Sequence, residues 1–384
     1  TEAWDFTLGQ PNVVVAVLDT GVDLSHPDLG AKLLEGYNAY DDSRNATDDY
    51  GHGTMVAGAV GAVTNNSLGV SAIGWRVSIL PIKVNYPGAG SSSYSLLAKG
   101  LVYAADKGAK VASMSWLIFN GSALTSAAKY FVDKGGLVVA AGGNTGKYEN
   151  YKDNPYIVSV GATNSSDLVA SFSSYGPYID LSAPGVSIFT TIMGKQATSY
   201  DYAYGYASGT SLSTPITAGL AALVFSANPS LIPNQVEQIL ESTAVDLGSP
   251  GYDIYCGWGR IDASKALKTA VGVAPYIDST PPKVVVTYPG DGATVSGDVT
   301  VKVDASDDVG VSKVELYKDG NLFATDFNSP WEFYWDTVSD PDGFHTLLAK
   351  ASDKAGNVGE SSLETINVSN AVADTTPPAV SIIN

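Results

Sequence analysis

The first 270 residues of the chain alternate between short apolar runs and longer stretches with a helical pattern. The apolar runs are rich in β-branched residues, which is typical of buried parallel strands. They lie at 13–18, 77–84, 111–116, 137–141 and 157–160. Helical patterns lie at 52–63, 94–107 and 124–134, and an apolar segment over 215–227 predicts a fully buried helix. Strands that alternate with helices predict a doubly wound α/β fold with a mostly parallel sheet.

The pattern changes near residue 282, where short segments of alternating polarity begin. They lie at 283–288, 299–304, 311–317, 331–335, 346–351 and 363–368. Strands of this length and spacing predict an all-β, immunoglobulin-like sandwich. The sequence Asp-Ser-Thr-Pro-Pro at 278–282 recurs as Asp-Thr-Thr-Pro-Pro at 374–378, which indicates a repeat. We therefore expect an α/β domain over 1–275, a sandwich over 276–370, and a truncated repeat or linker over 371–384.

Composition and charge narrow the classes of function. The 384 residues include 39 acidic and 21 basic side chains, which give a net charge of −18. This balance disfavours a nucleic-acid-binding protein, because phosphate binding needs clustered Lys and Arg. The single cysteine, Cys256, excludes an intrachain disulfide. Because no apolar run reaches the roughly 20 residues that a transmembrane helix needs, we expect no membrane span.

Three short motifs carry the residue types of a nucleophilic triad. Asp19 follows the first predicted strand, His52 lies in Gly-His-Gly-Thr, and Ser211 precedes the apolar helix. A carboxylate, an imidazole and a hydroxyl together perform acyl transfer through a covalent intermediate. His26 stands before a proline in a turn and His345 lies in the sandwich, so neither is expected to be the base.

These motifs, taken together, resemble the subtilisin family of serine proteases in its thermitase-like branch. The chain order Asp, His, Ser is that of subtilisin. The strand that ends before Asn144, the segment Ala-Ser-Phe-Ser-Ser at 170–174 and the segment Leu-Ser-Ala-Pro-Gly at 181–185 also match the family. The segments 306–311 and 352–357 are similar to bacterial immunoglobulin-like domains. The expected fold is therefore a subtilisin-like α/β domain followed by a sandwich.

The resemblance implies a secreted, extracellular serine endopeptidase of fairly broad specificity that acts on proteins or peptides. In this mechanism Ser211 attacks the carbonyl, His52 transfers the proton and Asp19 orients the imidazole. Asn144 and the backbone amide of Ser211 stabilise the oxyanion. Members of the family are made with a signal peptide and an inhibitory prodomain, so Thr1 is expected to lie near a processing boundary. We expect the chain to act as a monomer.

The resemblance also implies a substrate-binding set. Its members here are Ser115, Trp116, Leu117, Gly143 and Glu149. Leu117 stands where the family usually has glycine, so its side chain is expected to narrow the pocket for the residue on the acyl side of the scissile bond, P1. If Glu149 points inward, it favours Lys or Arg at P1; otherwise it is a solvated loop carboxylate.

Two oxygen-rich loops are candidates for Ca²⁺, which takes six to eight oxygen ligands. The first resembles the family's strong calcium loop and uses Asp28, the side chain of Asn66 and the carbonyls of Thr64, Leu68 and Val70. The family's further ligand comes from an N-terminal arm, and because this chain opens close to Trp4 we expect that ligand to be missing and the site to be incomplete. The second loop comprises Asp41, Asn45, Thr47, Asp48 and Asp49. Its alternative is a solvated acidic loop in which Arg44 pairs internally.

Two other functions stay open from the sequence. A narrow processing protease needs a charged pocket, which only Glu149 offers. A cell-surface adhesive protein, in which the sandwich carries the function and the α/β domain is inactive, has no need of Asn144 and an intact triad. Labelling with a fluorophosphonate distinguishes an active serine enzyme from an inactive scaffold.

Overall fold

The structure is a computed structural model that describes residues 2–117, 121–194, 203–272, 279–307, 310–353 and 356–370. The chain divides into two compact units, Thr1–Tyr276 and Ile277–Asn384. The repeat or linker predicted over 371–384 lies outside the described residues.

The first unit is built on a seven-stranded sheet with the order β2-β3-β1-β4-β5-β6-β7. Its strands are β1 (Val14–Asp19), β2 (Tyr37–Asn38), β3 (Ser78–Lys83), β4 (Val111–Met114), β5 (Leu137–Ala141), β6 (Val158–Thr163) and β7 (Leu181–Pro184). Every neighbouring pair is parallel. The prediction of a parallel α/β sheet is confirmed. A separate antiparallel ribbon pairs β8 (Ile188–Thr191) with β9 (Tyr204–Ala207).

Six helices accompany this sheet in the described part of the unit. They are α1 (His52–Gly61), α2 (Tyr94–Asp106), α3 (Ser122–Asp133), α4 (Thr210–Ala227), α5 (Pro233–Ser242) and α6 (Ala263–Gly272). The helix α4 packs against α1 and against β4 to β7, and almost all of its residues are buried. By length and composition alone α4 could cross a membrane, but its burial inside the unit is that of a core helix.

The parallel sheet separates two apolar cores. Along β1 successive side chains point to opposite faces, so Val15 and Val17 enter one core while Ala16 and Leu18 enter the other. The first core includes α4, and the second includes α2 and α3. Because both faces are covered, β1 is apolar up to Asp19 and needs no polar alternation. The carboxylate of Asp19 is fully buried at the end of this strand.

The second unit is a sandwich with a core of its own, and its strand pairs are antiparallel except for β11 with β18. One sheet has the order β10-β12-β15, and the other has the order β11-β18-β16-β13-β14 with β17 paired to β16. The strands are β10 (Lys283–Tyr288), β11 (Thr294–Val295), β12 (Asp298–Ser306), β13 (Val311–Lys318), β14 (Asn321–Asp326), β15 (Trp331–Asp336), β16 (Gly343–Asp353), β17 (Val358–Glu360) and β18 (Glu364–Val368). Side chains from both sheets meet in one cluster that includes Val301, Leu316 and Trp335. The prediction of an all-β sandwich is confirmed, and the structure adds β11, β14 and β17 to the predicted strands.

Candidate active site

Three of the predicted site residues lie at the carboxyl ends of three adjacent strands. Asp19 ends β1, Ser115 follows β4, and Asn144 follows β5 after two glycines. The strands β1, β4 and β5 are neighbours in the sheet. In an open parallel α/β sheet, ligands bind at this edge. The order of the strands therefore brings these residues together from distant parts of the sequence.

Asp19 and His52 form a hydrogen-bonded pair. Nδ1 of His52 lies 2.7 Å from Oδ1 of Asp19, which also accepts the backbone N–H of Thr20 at 2.8 Å. The negative charge of Asp19 raises the pKa of His52 above its ordinary value of 6.5, although burial opposes the shift. The pair fixes the imidazole so that Nε2 is the nitrogen left for proton transfer.

Asp48 ties the end of β1 to the start of α1. Its Oδ1 accepts from the Thr20 hydroxyl and from the backbone of Tyr50 and Gly51, and its Oδ2 accepts from the backbone and hydroxyl of Thr54. These five hydrogen bonds span 2.6 to 3.1 Å. A buried carboxylate just before a helix also complements the positive end of the helix dipole. The sequence assigned Asp48 to a metal, whereas here its oxygens hold the helix that carries the imidazole.

The contact between β1 and α1 also needs a glycine. The backbone of Gly53, the second residue of α1, approaches the carbonyl of Gly21 so closely that a Cβ on Gly53 would lie 2.0 Å from that oxygen. The N–H of Gly53 donates to the Thr20 hydroxyl at 2.8 Å. A side chain at Gly53 would therefore push His52 away from Asp19.

Ser211 is the second residue of α4, at the positive end of the helix dipole. Pro215 lies four residues later and has no N–H, so the carbonyl of Ser211 lacks its helical partner. The Ser115 hydroxyl donates to that carbonyl at 3.0 Å instead. The segment that follows β4 is thereby bonded to the backbone of the predicted nucleophile.

The Asn144 side chain is also held by α4. Its Oδ1 accepts the backbone N–H of Thr210 at 2.9 Å and the Thr210 hydroxyl at 3.1 Å. Because the amide oxygen is occupied, the orientation of the amide is fixed. Among the described hydrogen bonds the nitrogen Nδ2 donates none, so this donor is available next to Ser211.

The predicted substrate-binding residues take different roles. Ser115 is buried and bonded to α4, and Trp116 donates its indole N–H to the carbonyl of Leu18 at 2.8 Å. Leu117 is 43% exposed and lies against Gly143. Glu149 is partly buried. Its carboxylate accepts the Thr145 hydroxyl at 2.9 Å, so this loop contact engages one of its two oxygens.

The first predicted metal loop closes around the fully buried carboxylate of Asp28. The Asn66 amide donates Nδ2 to Asp28 at 2.6 Å, and the backbone N–H of Val70 donates at 3.2 Å. The Asn66 Oδ1 accepts from Leu68 at 3.1 Å, and the hydroxyl of Thr64 donates to a nearby backbone carbonyl. In this loop Asn66 turns its nitrogen toward Asp28. Calcium binding would require that amide to present its oxygen.

The second predicted metal loop has its side chains turned to several different partners. Asp49 accepts from the Lys83 ammonium at 2.5 Å, and its other oxygen accepts a backbone N–H at 2.8 Å. Asp41 and Asn45 each accept the backbone N–H two residues further on, in the second case that of Thr47. Within the described residues no group of three His, Cys, Asp or Glu side chains is arranged to hold a metal. Arg44 pairs with Glu35.

Three residues that organise the site were not predicted to do so. They are Thr20, Thr210 and Pro215. Each lies within four residues of Asp19 or Ser211, so sequence proximity was the available signal. Thr20 is bonded to Asp48 and Thr210 to Asn144, and Ser115 is bonded to the Ser211 carbonyl that Pro215 leaves without a helical donor. These partners are distant in sequence, and only the folded chain reveals the pairs.

Comparison with known proteins identifies the family of the chain. The profile of the subtilase family matches residues 10–259, which include Asp19, His52, Asn144 and Ser211, and that of a bacterial Ig domain matches residues 282–349. The chain therefore belongs to the subtilase family, and a bacterial Ig domain follows the subtilase domain.

Individual relatives support the assignment. The chain is 38% identical over 272 residues to thermitase of Thermoactinomyces vulgaris, covering 70% of this chain and 92% of thermitase. It is 38% identical over 268 residues to a thermophilic serine proteinase of Bacillus sp. (strain AK1), covering 69% of this chain and 64% of that protein. A solved protease structure from Pseudoalteromonas arctica PAMC 21717 superimposes with a TM-score of 0.62 at 30% identity, covering 70% of this chain and 93% of that one.

Coverage of the relatives varies. The chain spans less than two thirds of the Bacillus sp. (strain AK1) proteinase and 31% of the cell wall-associated protease of Bacillus subtilis (strain 168), to which it is 38% identical.

Proposed function

We propose that this chain is a serine endopeptidase that hydrolyses peptide bonds through an acyl-enzyme intermediate. The observation that carries the proposal is that hydrogen bonds fix the imidazole of His52 and the amide of Asn144 at the edge of the sheet where Ser211 lies. His52 is bonded to the buried Asp19, and Asn144 is bonded to the first turn of α4, where Ser211 lies. These are the parts that nucleophilic acyl transfer needs.

The proposed reaction has two halves. Ser211 Oγ attacks the peptide carbonyl while His52 takes its proton, and the proton then passes to the leaving amine. A water molecule, activated by the same imidazole, releases the acyl group and restores Ser211. Asp19 holds the imidazole and stabilises its charged form. Asn144 Nδ2 and the backbone N–H of Ser211 bind the oxygen that becomes negative in each half.

The first experiment tests covalent chemistry at Ser211. A fluorophosphonate should label the chain once, and peptide mapping by mass spectrometry should place the adduct on Ser211. The Ser211→Ala variant should neither label nor cleave casein, while its fold stays intact by circular dichroism. Absence of labelling in the native chain, or labelling at another serine, would contradict the proposal.

We further propose that the enzyme is secreted, acts outside the cell on proteins or peptides as a monomer, and folds with the help of a prodomain. Its relatives include a cell wall-associated protease. The acidic surface favours solubility. The role of the prodomain is tested by refolding the denatured chain with and without added prodomain polypeptide. If the prodomain assists folding, activity should return only when it is present.

We also propose Ca²⁺ as a structural ion, held by the loop of Asp28, Thr64, Asn66, Leu68 and Val70. The buried carboxylate and the oxygen-rich set are the ligands that Ca²⁺ prefers. The ion would fasten the segment that follows α1 to the turn that contains Asp28. The acidic loop over 41–49 is a second proposed site, and the competing bonds of Asp48 and Asp49 weigh against it.

Chelation tests both calcium loops. The thermal midpoint should fall when EDTA replaces excess calcium, because an ion that binds the folded state alone stabilises it by mass action. Asp28→Asn should abolish this difference if the first loop binds. If the acidic loop also binds Ca²⁺, Asp49→Asn should remove the further part of the midpoint difference that is due to that loop. A midpoint that EDTA leaves unchanged would contradict both sites.

A further inference from the structure

We propose that the side chain of Leu117 occupies the space that a substrate side chain needs at P1, so that the enzyme prefers substrates with Gly, Ala or Ser there. The proposal rests on the proposed peptidase function and names the substrate class of the same site.

The position of the P1 side chain follows from the chemistry of the attack. The carbonyl carbon that Ser211 attacks carries both the developing oxyanion and the Cα of the P1 residue. In the proposed mechanism the oxyanion lies between Ser211 and Asn144. The Cα of the P1 residue is bonded to the attacked carbon, and the P1 side chain begins one bond beyond that Cα. We place the P1 side chain beside the backbone of Gly143, which adjoins Asn144.

Two segments that follow neighbouring strands lie at this edge of the sheet. They are residues 115–117, which follow β4, and residues 142–144, which follow β5. The strands β4 and β5 are adjacent and parallel, with Met114 opposite Ala140. Both segments leave the sheet at the same edge, and a side chain that enters between them must fit the gap between their backbones.

Leu117 already contacts the opposite wall of this gap. A Cβ on Gly143 would lie 2.8 Å from Cδ1 of Leu117 and 2.9 Å from Oγ of Ser174. Since a Cα–Cβ bond is about 1.5 Å, the Leu117 methyl lies within about 4.3 Å of Gly143 Cα, which is van der Waals contact. A second side chain needs about 3.5 to 4 Å to the atoms on each side. The gap cannot hold this methyl and an aromatic or long aliphatic P1 side chain together.

The backbone of the segment is anchored just before Leu117. The Ser115 hydroxyl is bonded to Ser211, and the Trp116 indole is bonded to Leu18 in β1. These two bonds prevent the segment from moving aside as a unit, so a large P1 group can enter only if the Leu117 side chain leaves its rotamer. The backbone of Gly143 has φ of 103°, a conformation that favours glycine, so this wall carries no side chain of its own.

The experiment compares two peptide p-nitroanilides that differ only in Ala or Phe at P1. The native enzyme should have the higher kcat/KM for Ala. Leu117→Gly should raise kcat/KM for Phe relative to Ala by on the order of tenfold or more, the usual scale for a pocket that gains or loses a few methylene groups. Leu117→Ala should fall between the two.

Controls separate the possible failures. Leu168→Ala changes a leucine that is 64% exposed elsewhere in the unit and should leave the P1 ratio unchanged. Fluorophosphonate titration of each variant gives the active fraction. If the native chain does not label, the peptidase function fails. If it labels but prefers Phe, or if Leu117→Gly leaves the ratio unchanged, the role of Leu117 is overturned. A third p-nitroanilide with Arg at P1 tests the alternative, and a higher kcat/KM for Arg than for Ala would overturn the role of Leu117 and favour Glu149.

Discussion

His52 can act as a base only when its ring is neutral. Asp19 raises the pKa of His52 above 6.5, so kcat/KM should rise with pH through a midpoint above that value. Asp19→Asn removes the charge that favours the imidazolium, and the pKa should then fall. Titration of the imidazole by NMR in the Ser211→Ala background measures this without autolysis. A native midpoint at or below 6.5 would contradict the assignment of the Asp19 charge as the dominant effect.

The amide of Asn144 should contribute to the transition state more than to substrate binding. Asn144→Ala should lower kcat by about a hundredfold or more and leave KM nearly unchanged, as for the corresponding residue of subtilisin itself. Asn234→Ala, an exposed asparagine of α5, is the matched control. Full kcat in Asn144→Ala would remove this residue from the proposed oxyanion site.

At the scale of single elements, α5 carries an unusual group of carboxylates. Glu237 lies close to Glu241 and Asp153, and burial is the main cause that raises the pKa of Glu237 to about 7. Burial also raises the pKa of Asp180, and Asp153, Glu237 and Glu241 add to that shift. In the folded chain these carboxyl groups therefore keep their protons at pH values at which the same groups in the unfolded chain have already lost them.

Stability should depend on pH in a predictable direction because of this group. Between about pH 4.5 and 7 the folded state binds more protons at Glu237 than the unfolded state, so stability falls as pH rises through this window. Glu237→Gln should raise the thermal midpoint at pH 8 and change it little at pH 4. The shift corresponds to at most about 3 kcal/mol. An unchanged midpoint at pH 8 would show that Glu237 ionises without cost.

The elements differ in how far the sequence predicts them. β1 and β5 are buried on both faces, so their composition alone identifies them. β2 and β11 have two residues each, and β14 shows little burial; such strands depend on a neighbouring strand and leave a weak pattern. β4 ends at Met114 rather than at Trp116, because Trp116 turns its indole to a carbonyl of β1. The strand propensity of the local sequence carries no information about a hydrogen-bond partner so distant along the chain.

The residues of the site also differ in how far the sequence predicts their roles. Glycine-rich motifs around Asp19, His52 and Ser211 are the sequence signal from which the triad is proposed. The hydrogen bonds of Asp48 and Asp49 were not predictable, because an acidic cluster in sequence is equally compatible with a metal, with lysine or with backbone amides. Their partners Thr54 and Lys83 become apparent only when the chain is folded.

At the scale of the whole molecule, each of the two units has its own apolar core. The residues of the proposed active site all belong to the first unit. Trp335 is 1% exposed in the core of the second unit and donates its indole N–H to Asp340 at 2.6 Å. Trp335→Ala should destabilise the sandwich by about 3 to 5 kcal/mol.

The expected result is a selective one. In Trp335→Ala the sandwich should unfold at lower temperature, as seen by calorimetry, while the hydrolysis rate per fluorophosphonate-labelled site stays the same. Tyr334→Ala, on the exposed face of the same strand, is the control. A parallel loss of hydrolysis in Trp335→Ala would show that the subtilase unit depends on the sandwich.

The hydrogen bond from Ser115 to the Ser211 carbonyl exists because Pro215 cannot supply its own N–H. The two positions should therefore be energetically coupled. Ser115→Ala alone leaves a carbonyl unpaired and should cost about 1 to 3 kcal/mol, whereas in a Pro215→Ala background the helix supplies the missing donor and the cost should shrink. A double-mutant cycle measures this difference. A positive coupling energy would mean that an exchange of the substrate-binding segment between relatives must carry the residue at 215 with it.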